Sequence, residues 1–270
     1  MDFVSVNQTI LHYKLTGQSQ DMPVLVFSNS LGTDFRIWDA VVSALSDQFT
    51  ILCYDKRGHG LSDLANPPYR MADHVGDLVA LLDHFGFSKV VLCGLSVGGM
   101  IAQGVTISRP DLVGALVLCD TGHKIGTAEM WQERIDALEE DGLVSMVDTV
   151  MERWFTEPFR QPDNPLFSGC VAMLARQNEQ GYIGTCAAIR DTDWTKKVQS
   201  VDVPTLCVVG ARDLATPPEL VKELSTLIPN AEYREIAGSG HIPCVEQPQI
   251  LIAELKDFFV KNKIGQIANG

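Results

Sequence analysis

The 270-residue chain is 46% hydrophobic and 20% charged, with a formal net charge of −13. Length and composition suit a globular protein with one substantial core, as many α/β folds have. The acidity argues against nucleic acid and anionic membrane as partners, because both demand a basic patch and no Lys/Arg run outgrows the pair Lys196-Lys197.

The seven cysteines form no C-x-x-C pair, and Cys53, Cys93, Cys119 and Cys207 fall within or at the ends of short apolar runs. They read as small core hydrophobes in a reducing compartment, not as disulfides or zinc ligands. Met1–Leu15 alternates polar and apolar residues and lacks the basic-then-apolar layout of a secretory signal. No apolar run approaches the roughly 20 residues that a bilayer span requires. A cytoplasmic chain is the expectation.

Phe3–Leu15 reads as two antiparallel strands turning near Asn7-Gln8. Short apolar or β-branched runs follow at Val24–Ser28, Thr50–Asp55, Lys89–Cys93, Ala115–Cys119, Thr205–Val209 and Glu232–Ile236. Continuous apolar character marks strands covered on both faces, as in a parallel sheet. Between them lie helical stretches such as Met71–Phe85, where Val75, Leu78, Val79, Leu82 and Phe85 share a face. Strand alternating with helix predicts a mostly parallel, doubly wound α/β sheet.

The alternation stops between Thr121 and Ser200. Met130–Leu138, Leu143–Phe155, Phe167–Gln177 and Tyr182–Ile189 are helix-periodic there, and Pro158, Pro162 and Pro165 punctuate the middle. The expected organisation is a core of residues 1–120 and 201–270 with a helical lid inserted at 121–200. A polar tail is expected over 261–270.

The sharpest motif is Gly94-Leu95-Ser96-Val97-Gly98-Gly99, between the strand Lys89–Cys93 and the helix-like stretch Met100–Ser108. A serine on such a strand–turn–helix elbow has an exposed hydroxyl, glycines give the turn room, and the helix amino terminus faces a developing oxyanion. Ser96 is the candidate nucleophile, and it needs a base held in one tautomer by an acid. His12 (strand), His59 (loop), and His74 and His84 (exposed or mixed helix face) read as structural or solvated. His123 opens the helical insertion and could touch the pocket, but it precedes the acid candidate Asp213. His241, in Gly238-Ser239-Gly240-His241, is the candidate base. Asp213 follows the strand Thr205–Val209 and is the candidate acid. Asp120, past the strand ending at Cys119, is its rival, and either could simply cap a helix. The order nucleophile, acid, histidine favours Asp213. The oxyanion hole then requires the Val97 N–H and a second from the loop Ser28–Thr33, for which Leu31 is the candidate. The polar run Asp55–Asp63 reads as bracing its own loop.

Asp55-Lys56-Arg57-Gly58-His59-Gly60-Leu61-Ser62, the Ser96 elbow, Asp213 and Gly240-His241 together resemble the α/β-hydrolase superfamily over nearly the whole chain. Members typically carry His-Gly at the oxyanion loop, where this chain has Asn29-Ser30. A narrower resemblance is to 3-oxoadipate enol-lactonases. It rests on Leu118–Gly122 running into Ile125–Trp131, on Gln103-Gly104-Val105, and on Gly210–Pro218. The resemblance implies hydrolysis of a small carboxylate-bearing enol-lactone without metal or organic cofactor. Positive charge or donors for such an anion must come from the insertion, whose arginines include Arg134, Arg153, Arg176 and Arg190, and Trp131 and Trp154 could line the pocket. The substrate-binding candidates are thus Trp131, Arg134 and Trp154. A general carboxylesterase, a cofactor-free perhydrolase and a slow-turnover receptor of the same fold are the alternatives. A homo-oligomer is compatible with the sequence.

Overall fold

The computed structural model describes residues 1–17 and 22–265. Strands β1 (Asp2–Val6) and β2 (Thr9–Thr16) form the amino-terminal hairpin, turning at Asn7 and Gln8, both at positive φ. Then come β3 (Val24–Ser28), α1 (Asp39–Leu45), β4 (Thr50–Tyr54), α2 (Met71–Phe85), β5 (Val90–Leu95), α3 (Val97–Ser108) and β6 (Val113–Cys119). Four helices follow without a strand: α4 (Ala128–Asp141), α5 (Val147–Trp154), α6 (Pro165–Ala175) and α7 (Glu179–Arg190). The chain closes with β7 (Thr205–Gly210), α8 (Pro218–Leu227), β8 (Glu232–Ile236), α9 (Pro243–Glu246) and α10 (Pro248–Lys261). Of the expected polar tail, Lys261 closes α10, residues 262–265 are turns, and 266–270 lie outside the described residues.

The strands make one sheet in the order β1-β2-β4-β3-β5-β6-β7-β8. The β1–β2 and β2–β4 pairs are antiparallel, and every pair from β3 to β8 is parallel. Residues of β4, β5 and β7 are buried throughout, because helices cover both faces of the parallel region. From β3 the chain steps to β4 on one side and to β5 on the other, so the carboxyl ends of β3 and β5 form the topological switch point, where such sheets open a crevice.

Most boundaries shift by one to three residues from expectation, and two differences matter here. Lys89 sits at φ 53° and precedes β5, which instead runs on to Leu95, the residue before the nucleophile candidate. The expected helix Leu143–Phe155 divides into a 3-10 turn, Leu143–Met146, and α5, after Gly142 at φ 78°. All seven cysteines are buried free thiols. Among the described residues no helix is long and apolar enough to cross a membrane.

Candidate active site

Ser96 joins β5 to α3 at φ 57° and ψ −120°, a strained conformation for a residue with a side chain. Its surroundings hold it there. Ser96 N–H donates to the Cys119 carbonyl at 3.0 Å, and its own carbonyl accepts from Thr121 Oγ1 at 2.6 Å and from Gly99 N–H at 2.9 Å. The glycines permit close approach: a Cβ on Gly94 would collide with the Gly98 carbonyl, and one on Gly98 with the Ser28 carbonyl. The elbow therefore packs backbone-to-backbone against the loop after β3. Val97 is the first residue of α3, so its N–H has no intrahelical acceptor.

Asp213 follows β7 in a tight turn. Its Oδ1 accepts from Ala215 N–H at 2.7 Å and Thr216 N–H at 3.0 Å, and its Oδ2 from Thr216 Oγ1 at 2.6 Å. The same Oδ2 lies 2.8 Å from His241 Nδ1. That contact assigns Nδ1 to the carboxylate and leaves Nε2 as the working edge of the imidazole. Burial would raise the Asp213 carboxyl, but the charge and hydrogen bond of His241 and the Thr216 donors outweigh it and hold it below its usual range. The His241 backbone is fixed too, its N–H donating to the Trp154 carbonyl at 2.7 Å.

Asp120 is fully buried at φ 44°, with Oδ1 accepting from Gly210 N–H at 2.8 Å. Burial and the neighbouring Asp213 charge push its carboxyl well above the ordinary range. It staples the ends of β6 and β7 and caps no helix, while the imidazole bonds Asp213. Side-chain ligand atoms of Asp120, Asp213 and His241 all lie within 4.8 Å of one another. That closeness adds to the cost of ionising Asp120.

One cavity of about 110 Å³ brings Ser96, His241 and Leu31 together with Trp131, Arg134 and Trp154 from the helical insertion. Arg153, Tyr182, Ile125, Met130 and Val150 complete much of its wall. Arg134 lies over the Trp131 ring at 5.3 Å, and Arg153 donates to the Leu214 carbonyl at 3.1 Å. Neither arginine forms an ion pair among the described residues. Arg176 borders a separate surface groove, and Arg190 bonds Asp191 and Gln132 instead. Burial, then the Arg134 charge, lowers Arg153 from its ordinary value. Tyr182 and Thr216 were not anticipated. Tyr182 shares a face of α7 with Ile189, seven residues on, which periodicity could have paired. Thr216 offered no comparable signal.

The other histidines stay outside the cavity. His12 Nδ1 pairs with Asp55 Oδ2 at 2.8 Å, and His84 is exposed on α2. His123 is buried 4.0 Å from Glu223. His59 is buried, and so is His74, contrary to the exposed or mixed face expected of it, with Nε2 3.3 Å from Thr185 Oγ1. The helix α2 tucks this face under α7. Asp55 braces its loop as expected, accepting from Phe35 N–H at 2.9 Å and Leu61 N–H at 3.0 Å.

Compared with known proteins, residues 25–254 match the model of the alpha/beta hydrolase family. The chain belongs to that family. This alpha/beta hydrolase is 34% identical over 248 residues to a 3-oxoadipate enol-lactonase of Acinetobacter baylyi, covering 92% of each chain. It superposes on the crystal structure of the enol-lactonase from Burkholderia xenovorans with a TM-score of 0.92 at 32% identity, covering 96% of this chain and 100% of that one. It is also 24% identical to a pimeloyl-[acyl-carrier protein] methyl ester esterase of Vibrio cholerae, over 92% of this chain and 97% of that one. The α/β-hydrolase fold expected from the motifs is the fold observed, and hydrolase relatives extend beyond lactonases.

Proposed function

We propose that the protein opens the ring of 3-oxoadipate enol-lactone to give 3-oxoadipate, through a covalent acyl-enzyme on Ser96. The carrying observation is one cavity lined by Ser96, His241 and two arginines that pair with no carboxylate among the described residues. In this reading Ser96 Oγ attacks the lactone carbonyl carbon while its proton passes to His241 Nε2. The N–H groups of Leu31 and Val97 hold the resulting oxyanion. The ring C–O bond then breaks, and the enol oxygen takes the proton back from the imidazolium. Tautomerisation of the enol to the ketone helps drive the step. Water, deprotonated by His241, releases the acyl group and restores Ser96, with Asp213 orienting the imidazole throughout.

Arg134 and Arg153 bind the substrate carboxylate, where a planar guanidinium gives paired donors. Trp131 and Trp154 flank it, and residues 121–200 act as the lid over a core of 1–120 and 201–270. The relatives named enol-lactonases support this substrate; the proposed setting is aromatic-compound breakdown in the cytoplasm, where seven buried free thiols stay reduced. The apolar walls Ile125, Met130 and Val150 favour a second reading, a general carboxylesterase using the same groups. Assays on the enol-lactone and on neutral aryl esters separate the two. The lactonase reading expects a strong preference for the lactone, and comparable efficiency on both would reduce it to a carboxylesterase. Ser96→Ala is expected to lose about 10⁴-fold or more in kcat. Retained turnover in that variant would falsify the covalent mechanism.

A further inference from the structure

Lys56 follows β4 and is 1% exposed, yet it forms no ion pair among the described residues. Its Nζ donates at 2.6 Å to the main-chain carbonyl of Ser30. Thr33 Oγ1 donates to the same oxygen at 2.9 Å, and Thr33 N–H at 3.4 Å. The Ser30–Leu31 peptide is trans, so its C=O and N–H point in opposite directions. Three donors clamp the carbonyl and so fix the opposed direction of the Leu31 N–H, on a residue that lines the cavity together with Ser96.

We propose that Lys56 is a positioning residue for the oxyanion hole: its ammonium holds the Ser30–Leu31 peptide and polarises the Leu31 N–H toward the developing oxyanion. This rests on the Ser96 mechanism above. A cation at a carbonyl oxygen withdraws density from the amide and strengthens the hydrogen bond its N–H can donate. The gain is realised when the carbonyl of the substrate becomes an oxyanion, so it appears in kcat and not in KM.

The charge is also poised to titrate. Burial lowers Lys56 to about 7, against the opposing pull of Asp55 and Asp34. Asp55 is engaged by His12 and by the Phe35 and Leu61 N–H groups, and Asp34 by Arg36. His59 and His74 lie within electrostatic reach of Lys56. Burial, with the Lys56 charge added, lowers both, His74 to about 3, so they are neutral where Lys56 titrates. Below neutral pH the Ser30 carbonyl meets a cation; above it, an uncharged amine.

The test uses the full chain with a neutral aryl acetate, following kcat and KM from about pH 5 to 9. Wild type should show an alkaline limb near neutral pH in addition to the acid limb of its base. Lys56→Met should lower kcat about tenfold below neutral pH, less than the 10²–10³-fold cost of deleting a hole donor. Its KM should stay within about twofold, its alkaline limb should vanish, and its kcat should meet that of wild type at the alkaline end. Lys56→Gln, a neutral donor, should also lack the limb. An unchanged kcat profile in a folded Met or Gln variant would overturn the proposal. So would a wild type without the alkaline limb, which requires no variant. Labelling with a fluorophosphonate separates the two levels of the argument. Wild type labelled at Ser96 with no alkaline limb sinks the Lys56 role alone, whereas no label at Ser96 sinks that role together with the mechanism beneath it.

Discussion

Asp120 and Asp213 stand at the carboxyl ends of adjacent strands, and their surroundings move their protons in opposite directions. Burial and the nearby negative charge raise Asp120, while His241 and Thr216 hold Asp213 low despite its burial. Two carboxylates this close cannot both ionise cheaply, so of the pair Asp120 holds its proton more readily and Asp213 loses it more readily. Replacing Asp120 by Asn keeps an oxygen for the Gly210 N–H and adds an uncharged donor in place of the acid. Asp120→Asn should therefore leave kcat within about threefold, whereas Asp213→Asn, which can stabilise the wrong imidazole tautomer, should cost about 10⁴-fold. Steady-state kinetics on the two variants decide the matter, and a severe loss in Asp120→Asn would show that it, not Asp213, serves the histidine. Chain order alone singled out Asp213 in the sequence, because the order follows from the sheet topology. The fully buried placement of Asp120 was not legible, since nothing local distinguishes a carboxyl that staples two strands from one that caps a helix. Asp213 caps no helix: it accepts from Ala215 and Thr216 within its own turn and lies 2.8 Å from His241 Nδ1.

The elbow shows how elements, and not only residues, build the site. Gly98 lies in the first turn of α3, and a Cβ there would strike Ser28 and Asn29 at the start of the loop that carries Ser30 and Leu31. Overpacking of this kind typically costs 1–3 kcal/mol. Gly98→Ala should lower stability by roughly that amount in denaturant unfolding and should cut kcat, because the intruding methyl displaces the loop after β3. Unaltered unfolding and kinetics together would mean that the β3 loop yields freely and does not set the geometry. The same packing explains what could be read ahead of the structure. Strands covered on both faces are unbroken apolar runs, so β3 through β7 were legible to within a few residues, as was the strand–turn–helix around Ser96. The insertion was legible only as helical. Its 3-10 turn at Leu143–Met146 and the placement of Arg153 and Tyr182 in the cavity wall depend on packing between elements, such as α4 on α7 and α7 on α2. That is long-range information which periodicity within one helix does not contain.

At the scale of the molecule, the cavity arginines sit inside a strongly negative field. A net charge of −13 repels an approaching anion over a distance set by screening, about 30 Å at 0.01 M salt and about 8 Å at 0.15 M. Arg134 and Arg153 act at short range within a partly enclosed cavity, where mobile ions screen them far less. Raising salt should thus remove the outer barrier and leave the inner attraction largely intact. For a carboxylate-bearing lactone, kcat/KM should rise a few-fold between roughly 0.01 and 0.15 M salt, with the gain in the association step. A neutral aryl ester, which feels neither term, should show no trend and so corrects for any effect of salt on the chemistry. A fall in kcat/KM for the anion would mean that the arginines project a positive potential beyond the cavity mouth and outweigh the acidic surface. The acidity of the chain therefore does not contradict an anionic substrate. On the proposed reading, it divides the problem into repulsion outside, which salt suppresses, and recognition inside, assigned to Arg134 of α4 and Arg153 of α5.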